Sequence, residues 1–361
     1  MGWWLCALEG MGLSSMRILV TGHDGYIGTR LIPLFRAAGH DVVGLDSGLF
    51  SGCTLGPDPD FVPALKLDIR DVRPSQLEGY DAVVHLAGIS NDPLGDLNPA
   101  VTYDINARGT LLVGRAAKAA GVPRFVFSSS CSLYGAHGDA PIDESAEFHP
   151  VTPYGESKVI AERELAELAD DDFSPVFLRN ATAYGVSPRL RGDLVVNNLT
   201  GYAVTTGEVY LKSDGTPWRP LVHIEDIARA MLAVCEAPRE KIHLKAYNVG
   251  RSAENYRIRD VAAIVEEVVP GGRVVFADTA GPDKRNYRVD CDRIAEEIPG
   301  FRPVWTVRKG VEELYLAYVA AGLTKEELIG SRFQRIQRIQ QLMADGLLDV
   351  TLRSAAPMRV P

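Results

Sequence analysis

Arg17-Ile18-Leu19-Val20-Thr21-Gly22-His23-Asp24-Gly25-Tyr26-Ile27-Gly28 decides the fold of this chain. RILVT is a short apolar run of the kind that fills a buried strand. Glycines at 22, 25 and 28 then stand between that strand and a helical pattern over about Tyr26–Ala38. The first glycine permits a tight turn, the second lets backbone approach a pyrophosphate, and the third lets the helix pack closely. The open N–H groups of the helix start meet the anion. Gly22, Asp24, Gly25, Tyr26, Ile27 and Gly28 are therefore expected to border a dinucleotide. Asp46 ends a second apolar run, Asp41–Asp46, eighteen residues after Gly28. Its carboxylate can accept both adenosine ribose hydroxyls and would repel a 2′-phosphate. No arginine follows immediately, which favours NAD over NADP. Asp68-Ile69 fits beside the adenine, with Asp68 accepting from its amino group, although a solvated loop acid reads almost as well.

Outward from this turn, Asp81–Ala87 and Arg124–Ser129 read as further buried strands, separated by a helical run over about Pro99–Ala120. A helix over about Tyr154–Leu168 and a strand Ser174–Arg179 follow. Strands alternating with such helices predict a parallel sheet with helices on both faces. From about Gly185 the pattern changes to helix Asp193–Thr205, strand Glu208–Leu211, loop Gly215–Pro220, helix Ile224–Cys235, strand Ala246–Val249 and helix Ile258–Val268. Gly271–Asp290 reads as irregular. The expected architecture is α/β, a Rossmann-type doubly wound parallel sheet with a smaller mixed α/β substrate lobe and a helical C-terminal tail. The boundaries are 16–184 for the dinucleotide domain, 185–305 for the lobe with a strand able to return to the first domain, and 306–361 for the tail. A ligand cleft is expected between domain and lobe. Residues 1–15 read as a disordered extension or an early start, against a short docking segment. In the tail, Phe333, Ile336, Ile339 and Leu342 recur at helical spacing, and that stripe must be buried somewhere. Arg332, Arg335 and Arg338 beside it read as a solvated flank, with a phosphate role as the alternative.

Composition bounds the function. The formal net charge of -9 argues against non-specific nucleic-acid binding. Five scattered cysteines without CxxC spacing suit a reducing, cytoplasmic setting. No stretch reads as transmembrane, and the seven histidines show no paired metal spacing.

Tyr154 and Lys158 are four apart at a helix start, so their side chains share a face. A lysine ammonium there can stabilise a tyrosinate and let a phenol act as a base near neutrality, at a cost to the surroundings of about 4 kcal/mol. Alone this spacing is common and marks no more than an amphipathic helix. Upstream, Ser128-Ser129-Ser130-Cys131-Ser132-Leu133-Tyr134-Gly135 follows the carboxyl end of a buried strand, where parallel sheets place chemistry.

The glycine turn, His85-Leu86-Ala87, the SSSCSLYG segment and the Tyr154/Lys158 pair together resemble the extended short-chain dehydrogenase/reductase family of nucleotide-sugar epimerases and dehydratases, over about residues 16–305. The resemblance implies that Ser130, Tyr154 and Lys158 do the chemistry and that Leu86, Ala87, Tyr154 and Lys158 also border NAD. It implies that Tyr154 removes a sugar-hydroxyl proton while the carbon-bound hydrogen leaves as hydride to the nicotinamide, Lys158 stabilises the tyrosinate and holds the nicotinamide ribose, and Ser130 holds the reacting oxygen. Hydride returned to the other face of a 4-keto sugar gives an epimer.

Departures from the family pattern choose among its members. The dehydratases carry Asp-Glu directly after the catalytic hydroxyl residue, where this chain has Cys131 and Ser132, so loss of water is disfavoured. Reductases that also epimerise carry a cysteine at the position of Ser132; Cys131 reads as packing or substrate lining. Thr182 replaces an asparagine that many relatives use on the substrate, and Asn180 can compensate only if it points away from the core. Arg189, Arg191, Arg219 and Arg285 are the basic residues expected near a substrate diphosphate. Arg285 matches the family's late phosphate-binding arginine and Asn198 its diphosphate contact. His223 is expected to cap or pack, His85 to be structural, and Asn106 to order the active-site backbone. For the Thr110–Ala120 and Tyr154–Leu168 helices the resemblance implies a four-helix homodimer contact, with buried monomer packing as the competing reading. The leading expectation is an NAD-dependent epimerase of a nucleoside-diphosphate sugar. Its alternatives are an NAD(P)H-dependent 4-ketosugar reductase, a 4,6-dehydratase and, outside enzymes, a nucleotide-sensing scaffold.

Overall fold

A computed structural model describes residues 15–90, 98–281 and 286–354. Its centre is a seven-stranded parallel sheet. The strands are β1 (Arg17–Thr21), β2 (Asp41–Asp46), β3 (Ala64–Lys66), β4 (Ala82–His85), β5 (Arg124–Ser130), β7 (Ser174–Asn180) and β11 (Ala246–Val249), in spatial order β11-β7-β5-β4-β1-β2-β3. β4, β5 and β7 are buried along nearly their whole length, as a sheet covered on both faces requires. β1 lies between β2 and β4, so the strand order reverses there and opens a crevice at the carboxyl ends.

Helix α1 (Gly28–Ala37) packs on one face with a later helix, Ile224–Glu236, over a core that includes Ile18, Val20, Phe35, Val84 and Met231. The other face carries α2 (Pro99–Tyr103), a π turn over Asp104–Gly109, α3 (Thr110–Ala119) and α4 (Pro153–Glu167). Thr152 caps α4 by accepting from the Gly155 amide, and Pro153 occupies its first turn, where a missing N–H costs nothing.

The lobe comprises α5 (Val195–Thr206), β9 (Glu208–Ser213), β10 (Trp218–His223), β12 (Asn255–Arg257), α8 (Ile258–Val268) and β13 (Arg273–Gly281), whereas α6 (Ile224–Glu236), α7 (Arg239–Ile242) and α9 (Asp292–Glu297) join the sheet core through Met231, Ile242 and Ile294. Two sequence expectations are corrected here. The expected loop Gly215–Pro220 contains the start of β10, which pairs antiparallel with β12 through Pro220 and then parallel with β8 (Thr182–Tyr184). Pro220 is tolerated because the ladder changes partner beside it. The stretch Gly271–Asp290 is not irregular: β13 pairs with β9, and β14 (Asn286–Val289) pairs with β6 (Ala136–Ile142). Both are short two-stranded pairings between segments far apart in sequence, which local periodicity does not report.

The C-terminal helices divide between the two halves. α10 (Val307–Ala321) and α11 (Lys325–Ile329) join the lobe core through Val311, Leu314, Tyr318 and Leu328. α12 (Arg335–Ala344) and the turn after it instead join the sheet core through Ile339, Leu342, Leu348 and Leu352. No helix among the described residues is long and apolar enough to cross a membrane.

Candidate active site

The glycine turn is shaped by close backbone contact. Gly22 has φ +72°, and a Cβ on it would lie 2.7 Å from the Ala87 nitrogen; one on Gly28 would run into the carbonyls of His23 and Gly22. No side chain caps α1, and although the Thr29 and Arg30 amides bond to the Gly25 and Ile27 carbonyls, the positive end of the helix faces this turn. A cavity of about 170 Å³ lies against this turn, lined by Gly22, Gly25, Tyr26, Ile27, Gly28, Asp46, Asp68, Ile69, Leu86 and Ala87. The small residues of the turn, the helix start behind it and the Asp46 carboxylate in the cavity wall fit a dinucleotide.

Several polar groups there already have protein partners. Asp46 accepts from the Gly48 amide at 2.7 Å and the Asp24 amide at 3.2 Å, while burial pushes its carboxyl above the usual range. Asp68 is held by Arg70 at 2.6 Å, which also reaches Asp104. The Asp24 carboxylate faces away from the cavity, toward Arg189 at 2.8 Å and the Ser51 hydroxyl at 3.0 Å. Tyr26 donates to the Gly185 carbonyl at 2.7 Å.

A second cavity, about 630 Å³, continues from the first through shared walls at Ile27, Leu86, Ala183 and Arg191. Ser130, Ser132, Tyr154, Lys158, Asn180, Thr182, Arg191, Asn198 and Arg219 all line it. The end of β5 places Ser130, whose hydroxyl donates to Ser132 Oγ at 3.0 Å and accepts from the Ser132 amide at 3.1 Å. α4 places Tyr154 and Lys158 on one face. Lys158 Nζ sits 5.8 Å from the Tyr154 ring centroid and 4.6 Å from that of Phe127, and donates to the Ser128 carbonyl at 2.8 Å. Burial lowers its ammonium to about 8, with the Glu162 carboxylate opposing.

Cys131 is fully buried and points to the Arg179 carbonyl at 3.1 Å; burial raises its thiol. It packs with Leu133, Tyr287 and Cys291 and does not line either cavity. Asn180 faces the cavity, with its amide held by Ser128 Oγ at 3.0 Å. Asn106 closes a reciprocal pair on the Ile89 backbone, at 2.7 and 2.8 Å, and reaches Ser157. His85 lies between the Thr21 and Thr110 hydroxyls at 2.8 and 2.9 Å, and burial, aided by Lys158, pushes it down to about 3. His223 caps α6 from its Nδ1, pairs with Glu313 at 2.9 Å and stacks on Trp305. His23 packs over Gly44 rather than lining either cavity.

Arg191 stands where the cavities meet, paired with Asp193 at 2.9 Å and bonded to Ser90 Oγ at 2.9 Å. Arg219 is buried over the Tyr287 ring. Arg189 corrects its expectation: its guanidinium is committed to Asp24, Thr54 and Asp58, outside both cavities, because the fold brings those oxygens to it. Arg285 lies outside the described residues. Arg335 is a second correction. It is buried, and it lines the first cavity with Ile339 and Leu352. Sequence reasoning also passed over Asn197, which binds Tyr26 Oη, the Gly185 amide and the Arg191 carbonyl; the adjacent Asn198 drew the attention.

Among the described residues no cluster of histidine, cysteine and carboxylate side chains could hold a metal ion. The model of the NAD dependent epimerase/dehydratase family matches residues 18–250. The UDP-glucose 4-epimerase of Bacillus subtilis is 29% identical over 328 residues, spanning 83% of this chain and 94% of its own. That of Azospirillum brasilense is 31% identical over 308 residues, spanning 79% and 87%. Among solved structures, MoeE5 in complex with UDP-glucose and NAD is 26% identical with a TM-score of 0.73, covering 85% of this chain and 100% of that one. With the sheet, the glycine turn and the two joined cavities in place, the family match decides the affiliation: the chain belongs to the NAD dependent epimerase/dehydratase family.

Proposed function

We propose that this protein epimerises a nucleoside-diphosphate sugar through a transient 4-keto intermediate, with NAD bound in the first cavity and the sugar in the second. The observation that carries this reading is the joined pair of cavities, the second of them lined by Ser130, Tyr154 and Lys158 together. Bound NAD would supply a hydride acceptor that becomes the donor on the return step. Gly22, Gly25, Gly28, Asp46, Asp68 and Ile69 would hold its adenosine and pyrophosphate.

Tyr154 takes the proton from the sugar hydroxyl and gives it back. Lys158, charged below about pH 8, stabilises the phenolate at short range in a buried setting where that attraction is weakly screened. Ser130 donates to the oxygen on which charge develops. Arg191, Arg219 and Asn198 hold the diphosphate, each already at the wall of the second cavity. Epimerisation is favoured over dehydration by the groups beside Ser130. Eliminating water needs an acid and a base, whereas Cys131 is turned into the core and Ser132 offers only a hydroxyl.

The test is to purify the protein, count NAD per chain, and present UDP-, GDP-, CDP-, ADP- and dTDP-sugars without added cofactor. An epimer should form with its carbon-bound hydrogen retained in D₂O. Stoichiometric NADH consumption, or release of a dehydrated sugar, would overturn the reading. Resemblance to UDP-glucose 4-epimerases makes UDP-hexoses the first sugars to try.

A further inference from the structure

Arg335 opens α12 in the C-terminal extension, yet its side chain is 4% exposed and reaches back to the glycine turn's cavity. One end of the guanidinium, Nη2, donates to the Arg189 carbonyl at 3.0 Å, and its Cζ lies 4.1 Å from the centroid of the Phe50 ring. The other, Nη1, is buried and has no hydrogen-bond partner among the described residues. Two arginines are its neighbours. Arg189 is paired with Asp24 and Asp58, and Arg191 with Asp193. Arg335 has no paired carboxylate among the described residues. Burial and Arg191 lower its guanidinium to about 10, with Asp193 opposing, so it stays charged near neutrality.

A buried cation with an unsatisfied donor is a costly arrangement unless an anion completes it. The cavity it lines is the one bordered by the uncapped start of α1, a second feature that calls for negative charge. The adenosine end of that cavity is marked by Asp46 and Asp68, which would repel further anions. Arg335 instead donates to the Arg189 carbonyl, in the segment that carries Arg191, a residue lining both cavities.

We propose that Arg335 is a phosphate ligand supplied by the C-terminal extension: its guanidinium binds the pyrophosphate of the dinucleotide, and α12 thereby holds the cofactor in place between turnovers. The proposal rests on the reading of the first cavity as the NAD site. The extension is anchored for such a role. Arg338 donates toward the Leu49 and Ser51 carbonyls at 3.4 Å, Arg70 holds the Thr351 carbonyl at 2.9 Å, and Arg353 pairs with Asp71 at 2.7 Å. Its position is thus tied to the loop after β2 and to the adenine side of the cavity.

The experiment measures binding of ADP-ribose and of adenosine to the full chain freed of nucleotide, for the natural protein, Arg335→Gln and Arg335→Lys. Adenosine lacks the pyrophosphate, so it reports whether the pocket survives the change. The ratio of ADP-ribose to adenosine affinity should fall at least tenfold in Arg335→Gln, and Arg335→Lys should recover part of it. NAD retained per chain after gel filtration should follow the same order. A ratio that falls by less than tenfold, including one preserved because both ligands weaken together, overturns the proposal. If the natural protein binds neither ADP-ribose nor NAD, the NAD reading fails as well, and the two failures are told apart by that control.

Discussion

Glu162 and Arg179 form a buried ion pair, Oε2 to Nη2 at 2.8 Å, one helical turn beyond Lys158. The glutamate also accepts from Ser129 Oγ at 2.5 Å, and the arginine donates to Tyr134 Oη at 3.0 Å, which in turn donates to Asn248 at 2.7 Å. The pair therefore ties α4, which carries Tyr154 and Lys158, to β7, and the Ser129 hydroxyl ties the same glutamate to β5, which carries Ser130. Glu162→Gln would leave a buried guanidinium without its carboxylate, a change that costs about 3–5 kcal/mol. We expect that loss in urea unfolding, with a fall in turnover larger than any change in KM. In a cycle with Arg179→Met, the second substitution should cost much less once the first is present. Additive losses would show that the two side chains do not act as a unit.

Lys158 is buried as an ammonium, which the folded protein resists. Its value falls from 10.5 to about 8, chiefly through burial, so between those limits the unfolded chain binds a proton the folded chain has released. Stability from this group therefore rises with pH across that window, and below about pH 8 the buried charge costs about 3 kcal/mol. Lys158→Met removes that cost but strands the Ser128 carbonyl, offsetting about 1 kcal/mol. In nucleotide-free protein the variant should be more stable by about 2 kcal/mol at pH 7, and the gain should vanish toward pH 10 while activity is lost throughout. Denaturant titrations at the two pH values decide it; a variant less stable at pH 7 would contradict the assignment.

The dinucleotide half was legible in the sequence because its signals are local. β1, the glycine turn and the acid ending β2 lie within Arg17–Asp46, and a strand buried on both faces must be continuously apolar. Spacing and a strand end make Tyr154, Lys158 and the serine cluster candidates, only the family resemblance singles out Ser130, Tyr154 and Lys158 together, and all three line one cavity. What escaped depends on contacts between distant segments. Arg189 and Arg191 look alike in sequence, and only Asp193 is nearby to pair with; that Asp24 would claim Arg189 is a property of the fold. Arg335 was hidden because an arginine beside an apolar stripe normally faces water, whereas here Phe50 and the Arg189 carbonyl cover it.

His85 makes the fold sensitive to acid. Burial, with Lys158 adding to it, holds its imidazole down to about 3 from an ordinary 6.5, so it stays neutral between the Thr21 and Thr110 hydroxyls. Below about pH 6.5 the unfolded chain takes a proton the folded chain refuses, and stability falls as pH falls toward 3. From pH 7 to pH 5 this group alone withdraws about 2 kcal/mol. His85→Gln should lower stability at pH 7, where the threonine contacts are disturbed, but flatten the slope between pH 7 and pH 5 by that amount. An unchanged slope, measured by urea unfolding at both pH values, would mean that other groups set the acid limit.

Ser130 and Ser132 offer two hydroxyls to one place, and this sets how the segment after β5 should respond to mutation. Their oxygens are 3.0 Å apart at the wall of the second cavity. Tyr154 lines the same cavity from α4, and the other phenols at its wall, Tyr210 and Tyr287, come from β9 and β14. Tyr154→Phe should therefore lower kcat by about 10²–10⁴, the usual contribution of a positioned base, while NAD content per chain is unchanged. Ser130→Ala should cost less, because Ser132 can turn its hydroxyl to the same oxygen. Ser130→Ala with Ser132→Ala should cost more than the product of the two single changes. If Ser132→Ala adds nothing to Ser130→Ala, the second hydroxyl serves only to hold the first, which fits its amide bond to Ser130 Oγ at 3.1 Å. Single-turnover rates for the four proteins distinguish a shared donor from a positioning contact, since only a shared donor makes the losses synergistic.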